Sequence, residues 1–129
     1  MILDTSFLVD VLRGESEVAD RLEEIDDSGA AFVSAVTIME LAEGIRLADA
    51  SDEEQSAVSD LLADLEALPF DRDCALRAGE LNANLVTAGK PVDETDVMIA
   101  ATALVNGYPV LTRDVSHFER IDGLSVRSY

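Results

Sequence analysis

Lysine, histidine, cysteine and tryptophan are all but missing from this chain: Lys90, His117 and Cys74 stand alone, and tryptophan does not occur. Each shortage removes a class of explanation. A single cysteine closes no internal disulfide, and the place of Cys74 in DRDCALRAGEL predicts a small buried side chain within a helix. Without a cluster of histidine and cysteine, a zinc centre of nitrogen and sulfur ligands is not supported. No run approaches the ~18 consecutive apolar residues of a membrane span, and the start of the chain lacks the basic and apolar segments of a signal peptide. The sequence therefore predicts a cytoplasmic protein with no membrane partner.

Charge of one sign is in excess. Against 9 basic residues stand 27 acidic ones, a formal net charge of -18. Solubility at this length needs far less, and the self-repulsion opposes compaction until salt screens it. Such an acid excess resembles that of proteins from salt-loving organisms with molar salt in the cytoplasm, so a high-salt cytoplasm is the expected medium. In dilute buffer the missing basic footprint argues against a nucleic-acid partner. In molar salt long-range steering is screened, and a few arginines, base contacts and bound metal would carry binding.

At 129 residues and 48% hydrophobic, the chain has the size of one domain with a substantial core, expected to span residues 1–129. It opens MILDTSFLVDVLRG: a short apolar strand end, an aspartate, then at once a helix. EVADRLEEI predicts a second helix, closed by DDSG, and AAFVS a second strand. AVTIMELAEGIRLA carries Ile38, Leu41, Ala42, Ile45 and Ala48 at helical spacing. ASDEEQSAVSDLLADLEAL predicts a further helix reaching Pro69 and pairing with its predecessor as a hairpin, whose apolar surface over residues 35–66 suits a dimer contact. LPF suits a small strand. DRDCALRAGELNANLVTAG and DETDVMIAATALVNG predict helices ended by Gly89 and Gly107, PVLT a strand, RDVSHFERI a turn or single helical turn, and LSVRS a last strand. Short strands alternating with helices argue for an α/β fold, a mostly parallel sheet covered on both faces.

Four acids sit where such a fold builds its sites. Asp4 lies at the first strand-to-helix corner, Glu40 near the start of the helix after AAFVS, Asp96 in the first turn after KPV, and Asp114 just past Leu111 and Thr112. Each has a plain alternative as a helix cap: Asp4 itself, Thr37 with Glu40 and Asp93 with Asp96 as cap pairs, and Asp114 before His117 and Phe118. Together they fit a ligand site better, because helix starts that follow parallel strands collect at one sheet edge. Carboxylates converging there repel one another unless a cation sits among them, and hard oxygen donors select magnesium or manganese. The chemistry this suggests is metal-assisted phosphodiester hydrolysis.

The segments ILDTS, VTIMELAEG, DETDVMIAATAL and VLTRDVSHFERIDGLSV, taken in this order, resemble the PIN-domain endoribonucleases of the VapC toxin type over essentially the whole chain. The resemblance implies a PIN-like three-layer fold and a magnesium-dependent endoribonuclease (manganese a possible substitute) acting on RNA. It implies too a homodimer, restrained by a cognate VapB-type antitoxin. By position, Asp4 and Asp96 match the principal metal ligands, Glu40 and Asp114 the further acids that can serve a second metal. Ser6 and Thr112 match hydroxyls beside them that can fix carboxylate orientation.

Other residues attract less weight. Asp93 reads as the cap of the Asp96 helix, His117 as structural or exposed, and the runs EEIDD and SDEEQ as solvated faces. Arg46 and Arg113 are candidate RNA phosphate contacts, Arg113 the better because it adjoins Asp114. Two other functions fit an acidic corner: a phosphatase with Asp4 as covalent nucleophile, and a non-catalytic binding module. The first is disfavoured by Ser6, which stands where a second aspartate is needed, and the second by the presence of all four acids.

Overall fold

The computed structural model describes residues 1–27 and 31–129. Five short strands form one sheet in the order β3-β2-β1-β4-β5: β1 (Ile2–Leu3), β2 (Phe32–Ser34), β3 (Glu66–Leu68), β4 (Val110–Leu111) and β5 (Val126–Arg127). All four pairings are parallel. Seven helices are described around it: α1 (Thr5–Leu12), α2 (Ser16–Asp27), α3 (Ala35–Leu47), α4 (Asp52–Ala63), α5 (Arg72–Thr87), α6 (Glu94–Asn106) and α7 (Val115–Phe118).

Strand alternation divides the core into two. Ile2 and Val110 point to one face, where they meet Leu81, Val97, Ile99 and Ala100 from α5 and α6. Leu3 and Leu111, one residue on, point to the other, where they meet Phe7, Leu8, Leu41 and Val58 from α1, α3 and α4. This is the expected three-layer arrangement. The IAATA stretch is wholly enclosed: Ile99, Ala100, Ala101, Thr102 and Ala103 are all buried, and the alanines among them leave room for neighbouring elements. Cys74 is buried within α5 as expected.

One expectation is corrected. The predicted helix over residues 50–68 stops at Ala63, and Glu66–Leu68 is edge strand β3, two residues ahead of the strand expected at LPF. Leu65 continues the helical spacing of Val58, Leu61 and Leu62, yet it is buried from outside the helix, while Glu66 and Ala67 are exposed. An edge strand with so little apolar content carries no alternation to announce it. In the order expected, α6 follows α5 through a loop with no strand between them, so Asp96 reaches the sheet edge on a helix that packs beside it. The DDSG closure of α2 includes Ser28 and Gly29, which lie outside the described residues.

The topology positions the site. With β1 central, β2 on one side and β4 on the other, the chain leaves neighbouring strands at one carboxyl edge, where the strand order reverses. Leu3 is in register with Leu111, and the Asp4 amide donates to the Leu111 carbonyl at 2.9 Å. Asp4 and Thr112 therefore begin the two sides of one crevice.

Candidate metal centre

Asp4 occupies the cap position of α1 but makes no capping hydrogen bond. Its side chain turns elsewhere: Ser6 Oγ donates to Oδ2 at 2.9 Å and Thr112 Oγ1 donates to the same oxygen at 2.7 Å. Both hydroxyls then accept a backbone amide, Ser6 from Arg113 at 3.2 Å and Thr112 from Asp114 at 2.9 Å. A hydroxyl whose oxygen already receives an amide is oriented to give its proton to the carboxylate. Asp4 is thus buried, at 3% exposure, with one oxygen held from two directions and Oδ1 unclaimed by either hydroxyl.

The proposed cap pair of Thr37 and Glu40 is also corrected. Ser34, at the end of β2, caps α3 by accepting the Thr37 amide at 3.1 Å, so Glu40 stands in the second turn. From there Glu40 Oε1 accepts a 2.8 Å hydrogen bond from Thr5 Oγ1, whose hydroxyl also lies 3.1 Å from Thr37 Oγ1. Thr5 was not singled out from sequence; a hydroxyl next to Asp4 was visible, but not that α1 would aim it at α3. Asp93 and Asp114 likewise take cap positions without side-chain cap bonds.

Electrostatics ties these carboxylates together. Burial pushes the Asp4 carboxyl above the usual carboxylate range, with the Asp114 charge adding to it, while the Thr112 and Ser6 hydroxyls favour ionisation. Glu40 is raised by burial and then by the Asp4 charge, against its bond from Thr5. Asp96 is pushed up to about 6, first by burial and then by Asp4, Glu40 and Asp93, with His117 acting in the opposite sense. Asp4 therefore feels Asp114, and Asp96 feels both Asp4 and Glu40. Among the described residues no arginine or lysine forms an ion pair with any of the four.

A group of oxygen donors that raise one another's proton affinity, with no basic partner, fits a divalent cation of hard character. Among the described residues no three acidic, histidine or cysteine side chains already stand in metal-holding geometry. Closing around a cation requires side-chain rotation, for which the partly exposed Asp96 and Asp114 are placed, whereas Glu40 is tied at one oxygen by Thr5 and Asp4 is doubly held. Asp4 is the fixed point.

The remaining candidates separate. His117, expected to be structural or exposed, is half exposed with Nδ1 3.9 Å from Asp96 Oδ2. Arg46 is exposed in the last turn of α3. Arg113, expected as a phosphate contact, has a competing partner: its Nη1 donates to Asp10 Oδ1 at 2.8 Å. The SDEEQ run has a local task, since Ser51 and Glu54 form a capping box that starts α4.

This arrangement on this topology defines a class. The PIN-domain family model matches residues 1–124, and the chain belongs to that family. The tRNA(fMet)-specific endonuclease VapC of Salmonella typhimurium is 29% identical over 128 residues, covering 99% of this chain and 96% of that protein. A VapC ribonuclease of Sinorhizobium fredii is 32% identical over 127 residues, covering 92% and 90%. The crystal structure of DNA-bound VapBC from Salmonella typhimurium superposes with a TM-score of 0.91 at 28% identity, covering 98% of this chain and 96% of that one.

Proposed function

We propose that the chain is a metal-dependent endoribonuclease, the toxin of a type II toxin–antitoxin pair. The observation that carries this reading is the convergence of Asp4, Glu40 and Asp96, each raised by burial and by like charges, on a sheet edge where no arginine or lysine pairs with them among the described residues. The ribonuclease names of the relatives and the VapBC assembly of the structural neighbour support it from outside.

Asp4 and Asp96 are the principal ligands of magnesium, for which manganese can substitute. Glu40 and Asp114 complete the site or hold a second ion. The cation, when bound, supplies Lewis-acid polarisation of the phosphodiester and a low-pKa water. The chain's residues do the rest: Ser6 and Thr112 hold Asp4 ionised and aimed, and Thr5 holds Glu40. Removal of a proton from an attacking water falls to the outer, more exposed carboxylates, because Asp4 is fixed by its hydroxyl donors.

One domain, residues 1–129, carries this activity. The antitoxin is of VapB type, and the working form is a homodimer; exposed Met39 and Leu47 on α3 support an apolar contact there. The working medium is a high-salt cytoplasm. No helix of the described residues is long and apolar enough to cross a membrane.

The test is RNA cleavage by antitoxin-free protein in molar KCl with magnesium, manganese or EDTA, beside the Asp96→Asn variant. Products that need metal and vanish in the variant support the reading. A folded, metal-replete protein that cleaves no RNA in any salt would turn the assignment toward a binding module.

A further inference from the structure

Asp10, six residues beyond Asp4 on α1, is a buried carboxylate with no place in the metal centre; its side chain is 4% exposed. A carboxylate so buried needs partners, and its two hydrogen-bond donors come from the far end of the chain. Arg113 Nη1 donates to Oδ1 at 2.8 Å, the Tyr129 hydroxyl donates to Oδ2, and Arg13 stands at 4.0 Å. The Tyr129 ring meets Phe7 edge-on, centroids 4.8 Å apart at 80°. Burial, followed by the bond to Asp10, holds the Tyr129 phenol protonated as a donor.

Arg113 lies between Thr112 and Asp114, and α1 grips it at both ends. Its amide donates to Ser6 Oγ, the hydroxyl that donates to Asp4, while its guanidinium donates to Asp10. Backbone pairing with the sheet ends at Thr112, whose amide donates to the Arg127 carbonyl at 3.0 Å, and Arg113 and Asp114 beyond it, the latter at φ -92° and ψ 51°, lie outside both β4 and α7. Side chains fix it instead.

We propose that Asp10, Arg113 and Tyr129 form a positioning latch that holds the corner after β4 against α1 and thereby sets the affinity of the Asp4–Asp114 side of the site for its cation. The proposal rests on the metal-dependent reading above. It makes Arg113 a positioning residue; its guanidinium is engaged by Asp10 and does not serve as a free phosphate contact.

The experiment compares wild type with Tyr129→Phe, Arg113→Ala, Arg113→Lys and Asp96→Asn. Manganese binding is followed by loss of the free-ion electron paramagnetic resonance signal, alongside thermal melts and steady-state cleavage across manganese and salt concentrations. Tyr129→Phe and Arg113→Ala are expected to weaken manganese binding by about tenfold, with kcat recovering to within about twofold at saturating metal. Arg113→Lys, which keeps one donor for Asp10, is expected to restore most of the affinity. Unchanged manganese affinity in folded Tyr129→Phe and Arg113→Ala overturns the latch, whatever happens to the melting temperature. A raised KM with a shallower salt dependence at unchanged metal affinity also overturns it, in favour of a phosphate contact. Loss of binding in Asp96→Asn alone sinks the latch and spares the metal centre, whereas wild type binding manganese no better than Asp96→Asn sinks both.

Discussion

Thr112 donates a 2.7 Å hydrogen bond to Oδ2 of Asp4 across 108 positions of sequence, and the same hydroxyl receives the Asp114 amide. One side chain thus joins the inner acid to the corner that carries the outer one. Because the hydroxyl has one proton and gives it to Asp4, it favours the carboxylate that a cation requires.

Replacing Thr112 by Val keeps its shape and removes both bonds. The Asp114 amide and Asp4 Oδ2 each lose a partner, so stability is expected to fall by about 1–3 kcal/mol and metal affinity by about 10- to 100-fold. Denaturant melts and manganese titration check this. Thr112→Ser is expected to stay near wild type, and equal losses in both variants would show that the methyl matters more than the hydroxyl.

Stability without divalent metal is expected to rise as pH is lowered from 7.5 towards 5. Folded Asp96 takes up its proton at about 6, against 3.8 for the ordinary group, so between these values the folded chain binds more protons than the unfolded one. The penalty for charging it is complete above about 6 and absent below 3.8. It is worth on the order of 1–2 kcal/mol after discounting for partial exposure. Asp4 and Glu40, also raised, act in the same sense. Melting curves against pH with and without magnesium read this out: Asp96→Asn and added magnesium should each flatten the profile, and a slope untouched by either would place its origin elsewhere on this acidic chain.

His117→Ala is expected to change the cleavage rate by less than about fivefold. Its imidazole lies 3.9 Å from Asp96 and half in solvent, where a charge interaction is weak. Steady-state kinetics at saturating metal decide the point, and a thousandfold loss in a folded variant would make His117 a proton-transfer group.

In molar KCl the melting temperature is expected to stand above its value in dilute buffer, since screening relieves the repulsion of a net charge of -18. Calorimetry across KCl concentrations tests it. A level or falling melting temperature would remove the high-salt expectation.

Much of the frame was legible from the residues. The spacing of apolar side chains marks six of the helices, and the acids within ILDTS and LTRD stand just beyond β1 and β4, as their place after short apolar runs implies. What failed to read were elements without a pattern of their own. β3 is an exposed edge strand whose register comes from β2, so no alternation of its own separates it from the end of α4.

The sequence by itself determined the types of candidate donor, carboxylates at Asp4, Glu40, Asp96 and Asp114 and hydroxyls at Ser6 and Thr112, and the acid excess of the chain. Local spacing decides periodicity and side-chain chemistry, so these can be read one segment at a time. Only the tertiary structure decided the pairing. That Thr5 serves Glu40, that Thr112 and Ser6 share Asp4 Oδ2, and that Arg113 turns to Asp10 beside Tyr129 all depend on α1 being set between α3 and the corner after β4. Such contacts join residues up to 119 positions apart, and no local pattern encodes the direction of a side chain towards a partner that only folding brings near.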